Sequence, residues 1–182
     1  MNRATQNLEN DHIYILKLTE VMLEMAQRPE PDVNYIDEVV DIIRNFADGL
    51  HHAKEENMLF PMLVDKGIPA ENGPVGVMLH EHAQGRNFVA EMASASIDWS
   101  EGRKDAKARI NQALQGYAIL LQNHIAKENN ILFRMADNLM SAQDEEKMYH
   151  NFVKVDSGDQ SGPSSPDYVK RINLLAQLYL TQ

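Results

Sequence analysis

The sequence predicts an all-α protein: an up-and-down four-helix bundle with a C-terminal helical extension. Three observations carry this expectation. Helix breakers cluster near positions 28–31, 61–76, 100–102 and 157–166. The stretches between the clusters lack strand alternation. Apolar residues within them recur at spacings of three, four and seven, the stripe of a helix that buries one face. Four long helices joined by short connections then give an up-and-down bundle.

The first helix is expected over about 4–27, where Leu8, Ile15, Leu18, Met22 and Met25 line one face. Arg28-Pro29-Glu30-Pro31 stops it, because proline brings no N–H to the ladder. The second runs from about 33 to 66 on Ile36, Val39, Val40, Ile43, Ala47, Leu50, Leu59 and Leu63. Pro61 is expected to kink it or end its regular part, and Gly67 to stop it. The third opens at Pro74, where a missing N–H costs nothing, and reaches about 96. The fourth starts near Ser100 or Glu101 and reaches about Leu139. Ser141 and Asp144 read as a cap for a short fifth helix to about 155. Residues 156–165 read as a flexible linker, and Pro166 starts a last apolar helix through Leu180. The expected organisation is therefore a bundle over 1–140 and a helical extension over 141–182.

Composition narrows the function. The 182 residues favour one domain, or one domain with an appendage. A net charge of −10 argues against nucleic acid and anionic membranes as partners. Cysteine is absent, which removes disulfides, thiolate metal sites, iron–sulfur ligation and cysteine nucleophiles together. No apolar run approaches the roughly 18–20 residues of a spanning helix, and the first residues hold no secretory apolar region. A cytoplasmic protein is expected.

The chain carries an internal repeat. Residues 51–62 read HHAKEENMLFPM and residues 124–135 read HIAKENNILFRM, with eight of twelve positions identical at an offset of 73. A lone histidine precedes each copy: His12 lies 39 before His51, and His82 lies 42 before His124. The chain thus reads as two helical hairpins of one design, each with a lone histidine and a His-x-x-x-Glu pair. Residues four apart share a helix face, so His51 with Glu55, and His124 with Glu128, aim an imidazole and a carboxylate at one volume. That donor set suits iron, manganese or zinc. With the two lone histidines it makes six candidate ligands inside a bundle.

Chance would give about half of one His-x-x-x-Glu match in a chain with this many His and Glu. Three occur: His51/Glu55, His52/Glu56 and His124/Glu128. The repeat selects the first and last, since His52 aligns with Ile125. His52 and Glu56 fall about 100° round the helix from the chosen pair and are expected beside the ligands or in solvent. His80 lies about 200° from His82 and is expected to face out. His150 has no repeat partner. Tyr117, seven before His124, reads as a donor beside the site or a packed core residue, and Arg86 as a countercharge, the lining of an entrance or a surface residue. The methionines read as core filler.

Ligands must meet at one depth. Counted from the expected helix ends, His12 and His51 sit about 22 and about 27 Å from their shared turn, and Glu55 and His82 about 16 and about 12 Å. The third junction fits badly. His82 and His124 differ by about 10 Å, so either the fourth helix begins above the top of the third or one of the expected boundaries is wrong.

At Asn10-Asp11-His12, HHAKEENMLFP (51–61), GPVGVMLHEHAQGR (73–86) and HIAKENNILF (124–133), the sequence resembles the hemerythrin-like, or HHE cation-binding, family. The resemblance covers about residues 5–140. It implies a four-helix bundle around two non-heme irons in an Fe–O–Fe type centre with bridging carboxylates. The ligands it implies are His12, His51, Glu55, His82, His124 and Glu128. Oxygen-carrying members are similar, but show histidine where this chain has Arg86 and aspartate where it has Asn129. That difference points away from reversible oxygen carriage. Bacterial proteins linked to repair of iron centres share the HxxKEExxLFP and HxxxENNxLF forms.

The expected function is that of a di-iron protein meeting a small diatomic or peroxide ligand (oxygen, nitric oxide or hydrogen peroxide) in oxidative or nitrosative stress. Oxygen- or peroxide-reducing activity is one form it could take. The alternatives are an iron- or oxygen-sensing module, with the last helix as a protein-docking element, and iron delivery or repair of iron centres. Manganese and zinc stand as alternatives to iron.

Overall fold

The computed structural model describes residues 3–158 and 163–181. Among them are six helices and no strand. Helix α1 is Ala4–Met25. Helix α2 begins α-helical at Val33–Ile42, turns π-helical at Ile43–His52 and again at Glu55–Leu59, and ends α-helical at Phe60–Asp65. Helix α3 is Pro74–Ser100. Helix α4 runs as Ala106–Lys127, a π turn at Glu128–Leu132 and an α-helical end at Phe133–Leu139. Helices α5 and α6 are Ala142–Asp156 and Ser165–Leu180. Within the expected linker, Asp156 closes α5 and Ser164 caps α6, while residues 159–162 lie outside the described residues.

The depth mismatch has a simple cause. Helix α3 continues to Ser100 rather than 96, and α4 begins only at Ala106. His82 then lies 100 − 82 = 18 residues from the turn, and His124 lies 124 − 106 = 18. Both sit about 27 Å from it. The turn itself is a glycine stop: Gly102 adopts φ 84° while the Arg103 N–H reaches the Asp98 carbonyl at 3.0 Å. Gly67, at φ 99°, ends α2 the same way, with the Ile68 N–H on the Leu63 carbonyl.

Pro61 is not the source of irregularity in α2. It falls in the first turn of the α-helical stretch Phe60–Asp65, after the π turn. The same π turn recurs 73 positions later at Glu128–Leu132, where Arg134 stands in place of Pro61. The widened turn therefore belongs to the repeated motif, and in both copies it starts at the glutamate.

Helix α1 packs on α4, α4 on α3, and α3 on α2. Helix α6 lies along α1 and touches α2, and α5 lies along α1. Two apolar cores result. The larger joins Ile15, Leu18, Met22, Phe46, Met92 and Leu114 with Tyr168, Ile172 and Leu175 of α6. The smaller joins Leu8, Leu59, Phe60, Val75 and Phe133 with Met148 and Phe152 of α5. Both extension helices therefore bury side chains in the bundle's own cores. Each has a capping box, Ser141 with Asp144 and Ser164 with Asp167, and the second was not anticipated from sequence. No described helix is long and apolar enough to cross a membrane.

Candidate metal centre

Between the two cores, each of the four long helices turns polar at one level. His12 on α1, His51 and Glu55 on α2, His82 on α3, and His124 and Glu128 on α4 are all buried. The six candidate ligands thus come together. His12 and His51 face each other with Nε2 atoms 3.0 Å apart, and His82 and His124 do so at 3.1 Å.

The two glutamates lie between these pairs. Glu55 turns Oε1 toward His51 Nε2 at 3.6 Å and Oε2 toward His82 Nε2 at 3.5 Å. Glu128 turns Oε2 toward His12 Nε2 at 3.2 Å and Oε1 toward His124 Nε2 at 3.1 Å. Each carboxylate thereby spans both imidazole pairs. None of their four oxygens accepts a hydrogen bond, although both residues are fully buried. Burial, and then the neighbouring Glu128, push the Glu55 carboxyl well above its ordinary range. Two unpartnered buried carboxylates are costly unless cations lie between them.

The outer nitrogens of the rings follow a closed pattern. Asp11 on α1 takes Nδ1 of His51 on α2 at 3.3 Å. Glu56 on α2 takes Nδ1 of His82 on α3 at 2.7 Å, and Glu81 on α3 takes Nδ1 of His124 on α4 at 2.9 Å. Asn129 on α4 returns to Nδ1 of His12 on α1 at 2.7 Å. Each helix orients the ligand of the next, from a position adjacent to its own ligand. An ionised carboxylate only accepts, so Nδ1 carries the proton and Nε2 points inward as a bare lone pair. Lone pairs 3 Å apart repel, and a metal ion between them removes the repulsion. Histidines that bind metals are held in this manner.

Of these orienting groups, the sequence put Glu56 beside the ligands or in solvent, and Asp11, Glu81 and Asn129 were missed in that role. Their signal was adjacency: each sits next to a ligand in the sequence. His52 takes the first of the two places expected for it, beside the ligands or in solvent. It is buried, its ring stacks on His82 at 3.7 Å, and its Nδ1 meets Asp48 at 3.1 Å. Burial, and then His82, hold its pKa down to about 4, so the ring is neutral at neutral pH. One ligand atom each from His52, Glu55, His82 and His124 lie within 4.8 Å of one another, as do those of His12, His51, Glu55 and Glu128. Arg86 is half-exposed and bridges Asp48 and Glu56, each at 2.7 Å. It lines a cavity of about 160 Å³ with His52, His82 and Tyr117. Tyr117 is buried in the larger core. His80 is exposed and pairs with Gln84.

Comparison with known proteins agrees with this geometry. The sequence pattern of the hemerythrin HHE cation binding domain matches residues 3–136. An iron-sulfur cluster repair protein, DnrN, of Neisseria gonorrhoeae is 32% identical over 101 residues, which covers 53% of this chain and 64% of that protein. Uncharacterised proteins of Mycobacterium tuberculosis and Mycobacterium bovis are 26% identical over 153 residues, 82% of this chain and 59% of theirs. The chain thus spans about three fifths of the length of these relatives. No solved structure matches it.

Proposed function

Because the chain belongs to the hemerythrin HHE cation-binding family, we propose that its two imidazole pairs hold two iron ions bridged by Glu55 and Glu128. His12 and His51 serve one ion, His82 and His124 the other. The observation that carries this is the four buried carboxylate oxygens without a hydrogen-bond donor, each facing an imidazole Nε2. Two irons there would supply one-electron steps between ferrous and ferric states and Lewis acidity toward a small ligand.

The protein's own groups do the rest. The ring of orienting side chains fixes each imidazole before metal arrives, which favours tight binding. Phe133 stacks on His12 and Phe60 on His82, so the smaller core screens that end of the centre from water. We read the function as capture or reduction of a small diatomic or peroxide in oxidative or nitrosative stress, coupled to repair of iron centres. The relative named for iron–sulfur cluster repair supports the repair side of this reading. The test is metal analysis of iron-loaded protein with its absorption spectrum, then anaerobic titration with nitric oxide and with hydrogen peroxide. Two irons per chain and a spectral change with one of these ligands are expected. One metal or none would overturn the dinuclear centre.

A second reading rests on Lys54. Its fully buried ammonium joins Asp11, the partner of His51, to Asp156 at the end of α5, at 2.6 and 2.7 Å. This gives the C-terminal segment a polar path to one ligand and favours a sensing role. Iron-dependent protease resistance of residues 141–182 would support it. Identical cleavage with and without iron would remove it.

A further inference from the structure

Three histidines, not two, crowd the α3–α4 side of the centre. His52 is built as the candidate ligands are built. Its Nδ1 is engaged by a carboxylate, Asp48, which Arg86 holds in turn through two nitrogens. With Nδ1 taken as a donor, the nitrogen left for the cluster with Glu55, His82 and His124 is Nε2, a lone pair. No other partner for His52 is found among the described residues besides the stacked ring of His82, the tilted ring of His51 and an edge contact with His124.

The backbone explains how consecutive residues can both point inward. In an α-helix they diverge by about 100°. Residues 43–52 are π-helical, and the wider turn reduces that divergence. His51 and His52 are both buried, with ring centroids 5.7 Å apart. The second hairpin lacks this device: Ile125 stands at the equivalent position, in a regular α-helix. The asymmetry is therefore confined to one hairpin. Arg86, on α3, is a cation with no lone pair to offer a metal, but it holds the carboxylate that orients His52.

We infer that His52 is a fifth histidine of the centre, a third imidazole for the His82–His124 site. The two metals are then inequivalent, one with three nitrogen ligands and one with two. The histidine that is absent at position 86 is supplied from the neighbouring helix. This inference rests on the dinuclear reading above.

The test uses the full chain loaded with isotopically enriched iron, as wild type, His52→Gly and His52→Gln. Mössbauer spectra of the wild type are expected to show two distinct doublets of equal area. Both variants are expected to lose that distinction, and to release one iron to a competing chelator about 10–100-fold more readily. Added imidazole should restore both properties in His52→Gly, because the deleted ring borders the cavity of about 160 Å³. Circular dichroism checks that the variants remain folded. Two irons with unchanged spectra and retention in both variants would overturn the inference, leaving His52 as a ring stacked on His82, while the dinuclear reading stands. Fewer than two irons in the wild type would overturn both.

Discussion

Replacing Glu55 by glutamine should cost the protein both metals, not one. Its two oxygens face opposite imidazole pairs, so one substitution removes an anionic donor from each site. A ligand present at a hundred times its dissociation constant stabilises the fold by about 2.7 kcal/mol, so two sites give about 5 kcal/mol. For a chain of this length each kcal/mol moves the melting temperature by about 2–4 °C, so metal should raise it by about 10–20 °C. In Glu55→Gln that rise should vanish, whereas His12→Ala should keep part of it. The metal-free proteins should rank the other way. Burial and Glu128 raise the folded pKa of Glu55 above its ordinary 4.5. A raised pKa contributes stability that is complete below the unfolded value and is lost as pH rises through the folded one. Near neutral pH the metal-free wild type has therefore lost stability that the neutral amide keeps. Metal-free Glu55→Gln should melt higher at pH 7, with the advantage shrinking toward pH 4.5. Differential scanning calorimetry with metal analysis reads both effects. Two irons in Glu55→Gln, or a lower metal-free melting temperature at pH 7, would refute the bridging argument.

Other perturbations separate packing from ligation. Ile172→Ala, in the fully buried face of α6, should cost about 2–5 kcal/mol in urea unfolding while folded protein still binds two irons. Lys54→Met should cost about 3–5 kcal/mol, since it strands Asp11 and Asp156, and should also loosen the iron held by His51. Arg86→Ala should change stability by less than about 1 kcal/mol, because the side chain is 45% exposed, yet it should speed iron loss to a chelator by freeing Asp48 and Glu56.

The sequence carried the helices and the six ligand candidates because both leave periodic traces. The repeat set His51 and Glu55 apart from His52 and Glu56, which spacing alone could not do. What stayed hidden followed from assuming regular α-helices. The π-helical run that ends at His52 changes the angular position of every residue in it, so the 100° rule left His52 beside the ligands or in solvent, whereas its ligand atom lies within 4.8 Å of those of Glu55, His82 and His124. The ends of α3 and α4 were misplaced because Ser100 and Glu101 resemble a helix start, while the stop is the left-handed Gly102. Three members of the orienting ring went unread although each sits next to a ligand, because every contact of the ring crosses between helices. The burial of α6 was hidden for a similar reason: an apolar stripe declares that a face is covered but not by what.

The paired π turns also set which way the apolar floor of the centre faces. A π turn holds one more residue than the α turn it replaces. Winding the same residues as a regular α-helix, with none removed, would swing Leu59, Phe60 and Leu63 by about 100°. Those three side chains pack in the smaller core with Leu8, Val75 and Phe133. His51 and Glu55 would keep their places while the apolar floor beneath them turned away. Both hairpins hold the extra residue at the same offset of 73, so both apolar floors depend on it alike. The π-helical run at Ile43–His52 has no counterpart in α4.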